Sequence, residues 1–292
     1  MSRNTLYMIL TVILLLSAAA MIAYPLISNY TAEKYSSQIR TEYFAAVAEL
    51  DDERLDAERQ KVREYNALLA GGVAQTFSDA QLESASADYT SLLNVNGDGI
   101  MAYIDIPLLD IHLPVYHGTE AETLEDGIGH VVGSSLPVGG ESTHAVISGH
   151  SGMASQKMFS DLDKLQKGDA FYLHTLNKTL AYEVDQIKTV LPTDTSPLAI
   201  EDGKDYVTLI TCTPFGVNTH RLLVRGVRVP YEEVTNADYE QITEQAEPVK
   251  STWMEEYKRG LATGGIILAW AGGIYFGVRK MRKRRGSHEK TD

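Results

Sequence analysis

The chain has 292 residues, of which 44% are apolar, and a formal net charge of −13 at pH 7. This length allows one or two domains with a substantial hydrophobic core. The acidic balance argues against a nucleic-acid-binding protein, which would need a basic surface. A single cysteine, Cys212, excludes an internal disulfide.

Residues 1–28 are predicted to form an uncleaved N-terminal transmembrane anchor. The chain is almost continuously apolar from Thr5 to Ile27, which is long enough for the ~20 residues that span a bilayer. A cleaved signal peptide, the alternative, would have an apolar region of only ~7 to 15 residues followed by a small-x-small site.

A second transmembrane helix is predicted over residues 260–278. Six basic residues follow it between Arg279 and Arg285, and an excess of positive charge marks the cytoplasmic side of a span. The basic tail, residues 279–292, is therefore expected in the cytoplasm together with the N-terminus, and residues 28–259 outside the cell. This outer part holds 18 lysines and arginines against 37 aspartates and glutamates, a net charge of −19.

Two segments precede the predicted β domain. Residues 29–70 are predicted to be a juxtamembrane helical segment, for which a spacer role and a catalytic role both stay open. Residues 71–95 are predicted to be a lid-like linker that is small and polar up to residue 91 and could lie over a groove. The apolar stripe of the helical segment consists of Tyr35, Ile39, Tyr43, Val47, Leu50, Leu55, Val62, Tyr65 and Leu69.

Residues 96–235 are predicted to form a mostly β domain, followed by a linker over residues 236–259. Many short alternating strands at close spacing favour a closed antiparallel or mixed barrel. Residues 161–167 are predicted to be a short helix. The glycine-rich loop of residues 127–133 lacks the Gly-Lys-Ser/Thr ending of a phosphate loop, so nucleotide binding is not expected. The predicted strands are Ile100–Ile106, Ile111–Tyr116, His144–Ser148, Ala170–His174, Leu180–Leu191, Tyr206–Cys212 and His220–Val229.

Cys212 ends one of these strands, because Pro214 removes a backbone donor and Gly216 permits a turn. Most free cysteines are small buried hydrophobic residues, and that interpretation stays open on local evidence. A lone thiol in an oxidising compartment outside the cell favours a nucleophile instead.

A thiol with an ordinary pKa of ~8.5 needs a cation nearby to become a thiolate at neutral pH. His150 is the preferred candidate, since it follows a strand and lies in a turn between two glycines, Gly149 and Gly152. His220 is its main competitor. Arg221 could return to the same end of the sheet and donate hydrogen bonds to an oxyanion. Arg225 lies ~13 Å further along the strand and is expected to be structural. The remaining histidines weighed are His130 in a loop, His144 inside a strand and His288 in the tail.

The chain resembles the sortases, and within them the class C, pilin-polymerising branch. Thr208-Leu-Ile-Thr-Cys212 is similar to the sortase signature around the nucleophile, and His150, Cys212 and Arg221 follow one another in the sortase order. The resemblance covers about residues 30–278. Further matches are Gly129-His-Val-Val-Gly-Ser-Ser-Leu-Pro-Val-Gly-Gly140, Ser148-Gly-His-Ser-Gly152, Phe159-Ser-Asp-Leu-Asp-Lys-Leu165 and the run from Thr211 to Gly226.

The resemblance implies an eight-stranded sortase barrel with short helices, an N-terminal helical segment and a transmembrane helix at each end. It implies that Cys212 attacks the threonine carbonyl of an LPXTG-like sorting signal in a pilin precursor, with Arg221 steadying the oxyanion. His150 would protonate the leaving amine, and a lysine of the next pilin would resolve the thioester. The implied partners are pilin precursors and membrane lipid on a Gram-positive cell surface, with no cofactor, metal or nucleic acid.

One departure concerns the lid, and two alternatives concern the function. Class C lids usually carry an Asp-Pro-aromatic triplet, whereas residues 71–91 contain no proline and offer only Phe77 as an anchor. The first alternative is a sortase that anchors surface proteins to peptidoglycan, with a cell-wall precursor as partner. The second is a non-catalytic membrane-tethered adhesin or scaffold whose thiol is incidental.

Overall fold

The computed structural model describes residues 3–71, 89–153, 155–231, 254–255, 257–270 and 272. Most of the lid-like linker, with Phe77, lies outside these ranges, as do nearly all of the linker over residues 236–259 and the whole basic tail with His288.

The N-terminal part of the chain is one long helix, α1, which runs from Arg3 to Ala48. Of the described residues, only this helix contains a stretch that is long and apolar enough to cross a membrane. Its large apolar side chains between Leu6 and Tyr30 are mostly exposed, as expected of a surface that faces lipid. Pro25 lies inside the helix, which membrane helices tolerate. The expected N-terminal apolar helix is therefore confirmed.

The C-terminal unit, residues 250–292, is helical over residues 257–270 where the structure describes it. The predicted span over residues 260–278 extends beyond the described residues. A second transmembrane helix therefore remains a prediction.

The predicted helical segment is divided between α1 and a second helix, α2, from Asp52 to Gly71. The break falls at residues 49–51, where the Asp51 carboxylate accepts a hydrogen bond from the Arg54 backbone N–H at 2.8 Å. A carboxylate in this position caps a new helix, which explains why the helix does not continue through the charged run.

Most of the predicted apolar stripe packs against the barrel. Ile39, Tyr43 and Val47 of α1 and Leu55 and Val62 of α2 are buried in one hydrophobic core with the strands. Tyr35 is the exception, because it is 57% exposed and the neighbouring Ser36 is buried instead. The two helices are thus part of the domain core and not a free spacer.

The barrel has eight strands in the order β1-β2-β3-β4-β7-β8-β6-β5 and is closed. The β2·β3 and β4·β7 pairs are parallel and the others antiparallel, so the predicted mixed barrel is confirmed. The strands are β1 Ile100–Ile106, β2 Ile111–His117, β3 Ile128–His130, β4 Thr143–Ser148, β5 Ala170–Thr175, β6 Lys178–Val190, β7 Asp205–Thr213 and β8 His220–Arg228.

Three details differ from the sequence prediction. The glycine-rich loop contains β3, in which a Cβ on Gly129 would collide with the Gly118 carbonyl oxygen, so this glycine permits close strand packing and not a turn. A short helix, α3, runs from Ala121 to Asp126 and was not predicted. The helix predicted over residues 161–167 is only a 3-10 turn, Leu162–Lys164.

The end of the predicted lid-like linker is also part of the core. Tyr89, Leu92 and Leu93 are all buried, and the Tyr89 hydroxyl lies 2.9 Å from Nδ1 of the buried His130. These residues close the space between α2 and the barrel end where β3 lies.

Candidate active site

Cys212 and Arg221 are direct cross-strand partners near one end of the barrel. In the antiparallel β7·β8 ladder, Cys212 pairs with Arg221 and Thr213 with His220. Side chains of such partners leave the same face of a sheet with Cβ atoms about 5 Å apart. The barrel register therefore brings the predicted nucleophile and the predicted oxyanion donor together.

This shared face is the outer face of the barrel. Val207, Leu209 and Thr211 are buried inside, so the alternating position of Cys212 points outward. Cys212 is half-buried, as are His150 and Arg221. Cys212 is thus only partly buried, which favours its prediction as a nucleophile over the alternative of a small buried hydrophobic residue.

The turn that carries His150 lies along the β4 side of β7, whereas Arg221 lies on the β8 side. The parallel β4·β7 ladder pairs Ser148 with Ile210, and the Gly149 N–H then donates to the Ile210 carbonyl at 3.0 Å. Beyond the ladder, the hydroxyl of Ser151, the residue after His150, donates to the Cys212 carbonyl at 2.7 Å. The backbone of Cys212 is therefore approached by the His150 turn on one side and by Arg221 on the other.

Three hydrogen bonds hold the turn that carries His150. The Thr211 hydroxyl donates to the Gly149 carbonyl at 2.8 Å, and the Ser151 hydroxyl donates to the Cys212 carbonyl at 2.7 Å. The Phe159 N–H donates to the His150 carbonyl at 3.0 Å. Sequence reasoning missed Ser151, although its place directly after His150 in a Gly-His-Ser-Gly turn was a usable signal.

The Arg221 guanidinium faces carbonyl groups and solvent. Its Nη1 donates to the Asn218 carbonyl at 3.4 Å and to the His220 carbonyl at 3.2 Å. Among the described residues, no carboxylate lies within the 4.0 Å of an ion pair with it. Within the part of the chain that the structure describes, the Arg221 guanidinium is thus not paired with a carboxylate, which suits a donor to a developing oxyanion.

His220, the competing histidine, points away from this face. It precedes Arg221 on β8, and successive side chains of a strand alternate between faces. Its Nδ1 lies 3.0 Å from the Thr219 hydroxyl. The strand register therefore puts His220 and Arg221 on opposite faces of β8, which favours the prediction of His150 over His220.

Two other histidines are buried and hydrogen-bonded. Burial lowers the pKa of His144, whose Nδ1 donates to the Ala199 carbonyl at 2.9 Å while Nε2 accepts from the Thr208 hydroxyl at 2.7 Å. Burial also lowers the pKa of His130 to about 4. Both imidazoles are neutral at physiological pH and support the fold.

Arg225 has the structural role expected of it. Its Nε and Nη2 donate to the two carboxylate oxygens of Asp185 at 3.0 and 2.7 Å, and Nη1 donates to Glu201 at 3.1 Å. The guanidinium also lies 3.9 Å from the centre of the Tyr206 ring. These contacts fasten the segment between β6 and β7, residues 191–204, to the outer face of the barrel.

The rim of the site carries exposed apolar side chains. Phe215 and Val217 follow Cys212 and are 37% and 64% exposed. Leu191 is 58% exposed and follows Val190, the β6 residue that pairs with Arg221.

Among the described residues, no group of three or more His, Cys, Asp or Glu side chains has the arrangement of a metal site.

Comparison with known proteins identifies relatives of the same architecture. A family profile for the sortase domain matches residues 104–229, which include His150, Cys212 and Arg221. Sortase C1 of Streptococcus agalactiae is 46% identical, with a TM-score of 0.62 over 66% of this chain and 98% of its own.

Two further solved structures are similar. Sortase C of Streptococcus pneumoniae, described in terms of pilin substrate specificity, is 41% identical, with a TM-score of 0.61 over 68% of this chain and 100% of its own. Sortase C of Clostridium perfringens, solved with the C-terminal cell wall sorting motif, is 44% identical, with a TM-score of 0.56 over 65% of this chain and 97% of its own.

Proposed function

The chain belongs to the sortase family of cysteine transpeptidases, and we propose on that premise that it is a class C enzyme that polymerises pilin subunits. The observation that supports the proposal is the cross-strand pairing of Cys212 with Arg221, together with the hydrogen bond from Ser151, the residue after His150, to the Cys212 carbonyl. Cleaving and remaking an amide through a thioester needs a thiolate, a group that moves protons and an oxyanion donor, which are the three groups present.

In the first step, the Cys212 thiolate attacks the carbonyl carbon of the threonine in an LPXTG-like sorting signal. Arg221 donates hydrogen bonds to the oxyanion of the tetrahedral intermediate. The threonine–glycine C–N bond then breaks, and the proton on His150 passes to the leaving glycine amine. The product of this step is a thioester between the sorting signal and Cys212.

In the second step, a lysine amine of another pilin subunit attacks the thioester carbonyl. His150 accepts the proton of that amine, the C–S bond breaks, and Cys212 leaves as a thiolate. An isopeptide bond now joins the two subunits, and both catalytic side chains have returned to their starting protonation states. No redox step and no external energy source is required.

The preference for pilin as substrate rests on sequence and relatives. The segments from Gly129 to Gly140 and from Thr211 to Gly226 resemble the class C branch, and the solved relatives named above are C-type sortases. The pneumococcal relative is described in terms of pilin specificity, and the clostridial one was solved with a sorting motif. These relatives support an LPXTG-like donor and a pilin acceptor.

The proposed location is the outer surface of a Gram-positive membrane. The apolar part of α1 would cross the bilayer and continue without interruption into the part that packs on the barrel. The basic residues after position 278 would hold the C-terminus in the cytoplasm, so that the barrel acts outside.

The acceptor distinguishes pilin polymerisation from cell-wall anchoring. The full chain in detergent is incubated with a pilin that carries a sorting signal, together with a second pilin, a peptidoglycan-type oligoglycine amine, or both. We expect covalent pilin dimers and multimers whose isopeptide bond maps to a lysine by tandem mass spectrometry. The matched control is Cys212→Ala, which should give none.

Products that contain only the peptidoglycan-type amine would overturn the pilin assignment and support wall anchoring. Absence of cleavage and of any adduct with a pilin that another sortase C can process would support a non-catalytic scaffold.

A further inference from the structure

The β4·β7 ladder ends before it reaches the two reactive side chains. The last paired residues are Ser148 and Ile210, followed by a single hydrogen bond from Gly149 to Ile210. Beyond that point, backbone pairing no longer fixes the distance between His150 and Cys212. Glycine on either side of the His150-Ser151 pair adds freedom, and Gly152 has a φ of +78°.

A side-chain hydroxyl takes over where the ladder stops. Ser151 is only 9% exposed, and its hydroxyl donates to the carbonyl of Cys212 at 2.7 Å. This bond joins the residue directly after His150 to the backbone of Cys212 itself. His150 is therefore linked to Cys212 through one peptide bond to Ser151 and one hydrogen bond from the Ser151 side chain.

We propose that Ser151 is a positioning residue, whose hydroxyl fixes His150 beside Cys212 for proton transfer. The proposal rests on the proposed catalytic roles of these two residues. Removing the hydroxyl would take away the partner of the Cys212 carbonyl and loosen the turn on the C-terminal side of His150, while the bonds of Gly149 to β7 remain. A proton donor that is displaced by up to 1 Å slows the proton-transfer step strongly, while substrate binding changes little.

The other contacts of the turn act elsewhere. The Thr211 hydroxyl also joins the turn to β7, but at the Gly149 carbonyl on the N-terminal side of His150. The Gly152 N–H donates to the Ser160 hydroxyl at 3.0 Å, and the Phe159 N–H donates to the His150 carbonyl at 3.0 Å, so both of these bonds join the turn to residues 159–160. Ser160 is as well shielded as Ser151, with 6% exposure, so Ser160→Ala removes a comparable hydroxyl that contacts the same turn without removing the bond to Cys212.

The first test compares turnover in Ser151→Ala, Ser151→Thr and Ser160→Ala full-chain enzymes. Steady-state cleavage of a sorting-signal peptide is measured from pH 5 to 9, and thermal unfolding is recorded for each variant. We expect Ser151→Ala to lower kcat about 10-fold with KM little changed, as for loss of one buried hydrogen bond. The pH dependence of kcat should shift, and Ser151→Thr should restore both. Ser160→Ala should lower the unfolding temperature without moving kcat or its pH dependence.

The second test needs no substrate, so it separates failure of this proposal from failure of the proposed function. The rate of Cys212 alkylation by iodoacetamide is measured against pH in the same variants. We expect the midpoint to move upward in Ser151→Ala only, because a displaced His150 stabilises the thiolate less. An unchanged alkylation midpoint in Ser151→Ala, or equal changes in Ser151→Ala and Ser160→Ala, would overturn the positioning role. If the wild type alkylates as expected but cleaves no sorting signal, the proposed function fails and the alkylation series still decides the role of Ser151.

Discussion

The barrel carries two groups of charged side chains that differ in how they are paired. At the active site, Arg221 has carbonyl partners, and within the described ranges no carboxylate lies close enough to neutralise it. Where α1 meets the barrel, Asp105 is 0% exposed and accepts hydrogen bonds from His112 at 2.7 Å and His174 at 2.8 Å. Arg40 of α1 approaches the same carboxylate at 3.6 Å. We call Asp105, Arg40, His112 and His174 the docking cluster.

The comparison shows two uses of charge in one fold. In the docking cluster the opposite charges satisfy each other, and the Arg40 guanidinium also lies 5.7 Å from the ring centres of Phe44 and Tyr103. These contacts join the helix with the apolar N-terminal stretch to β1, β2 and β5. At the candidate active site, no carboxylate of the described residues pairs with Arg221. Changes in the cluster should therefore affect stability, and changes at the site should affect turnover.

Removal of His150 should give the largest effect. His150→Ala is expected to abolish turnover of a sorting-signal peptide, because it removes the group that protonates the leaving amine and deprotonates the acceptor. The unfolding temperature should stay close to that of the wild type, since the side chain is half-buried at a turn. His220→Ala is the matched control and should retain turnover. Loss of activity in His220→Ala with retention in His150→Ala would reassign the imidazole.

Replacement of Arg221 by lysine should be the next largest effect. Lysine keeps the charge but loses the forked guanidinium, so kcat should fall about 100-fold or more, the usual loss for one oxyanion donor. Folding should be unaffected. Arg225→Lys is the comparison variant, because it removes the bidentate hydrogen bonds to Asp185. It should lower the free energy of unfolding clearly and kcat only slightly. Normal turnover in Arg221→Lys would mean that another group stabilises the oxyanion.

Neutralising the docking cluster should reduce stability without changing the chemistry. Asp105→Asn removes a buried carboxylate that accepts hydrogen bonds from both His112 and His174, and it should lower the free energy of unfolding by about 3 kcal/mol. Denaturant unfolding and the alkylation rate of Cys212 are measured together. Asp56→Asn, which changes a 76% exposed side chain paired with Arg59, should change stability by less than about 1 kcal/mol. Equal losses in the two variants would show that the cluster does not fasten α1.

The smallest effect expected is a pH dependence of stability. Burial by itself would lower the pKa of His112, but hydrogen bonds to Asp105 and Asp110 raise this pKa to about 9. Although burial works against it, hydrogen bonds from His112 and His174 hold the pKa of Asp105 well below its ordinary value of 3.8. The contribution of Asp105 is therefore present above about pH 4 and is lost as the pH falls further. That of His112 is complete below about pH 6.5 and is lost as the pH rises through 9.

This dependence can be isolated by a difference between two proteins. The other cationic and imidazole side chains near His112 include Arg40 on α1, Lys157 and His174 on β5, and they are the same in wild type and His112→Gln. The difference in unfolding free energy between the two should shrink from pH 6.5 to pH 9. A constant difference over that range would contradict the raised pKa of His112.

The sequence predicted the active-site end of the barrel well, for physical reasons. The run from Tyr206 to Cys212 alternates and is stopped by Pro214, so the strand and the position of Cys212 near its end follow from local rules. The next strand begins one short loop later, which brings Arg221 back beside Cys212. The choice of His150, made from the glycines around it, stays a prediction.

The parts that escaped prediction depend on distant contacts. Asp105 and His174 are 69 residues apart and meet only because β1 pairs with β5. Gly129 serves a close approach to Gly118, which no local pattern reveals. At Tyr35 and Ser36 the helix buries Ser36, whose hydroxyl shares a hydrogen bond with the Tyr103 hydroxyl at 2.6 Å, and the apolar stripe does not reveal this contact.

The most direct test of the account is the intact mass of the full chain after mixing with an LPXTG-like peptide. We expect the mass to rise by that of the peptide fragment ending at threonine, with the adduct on Cys212. Hydroxylamine should release this adduct, as expected of a thioester. The Cys212→Ala protein should gain nothing. Cleavage of the peptide by Cys212→Ala, or an adduct on a residue other than Cys212, would contradict the assignment of Cys212 as the nucleophile.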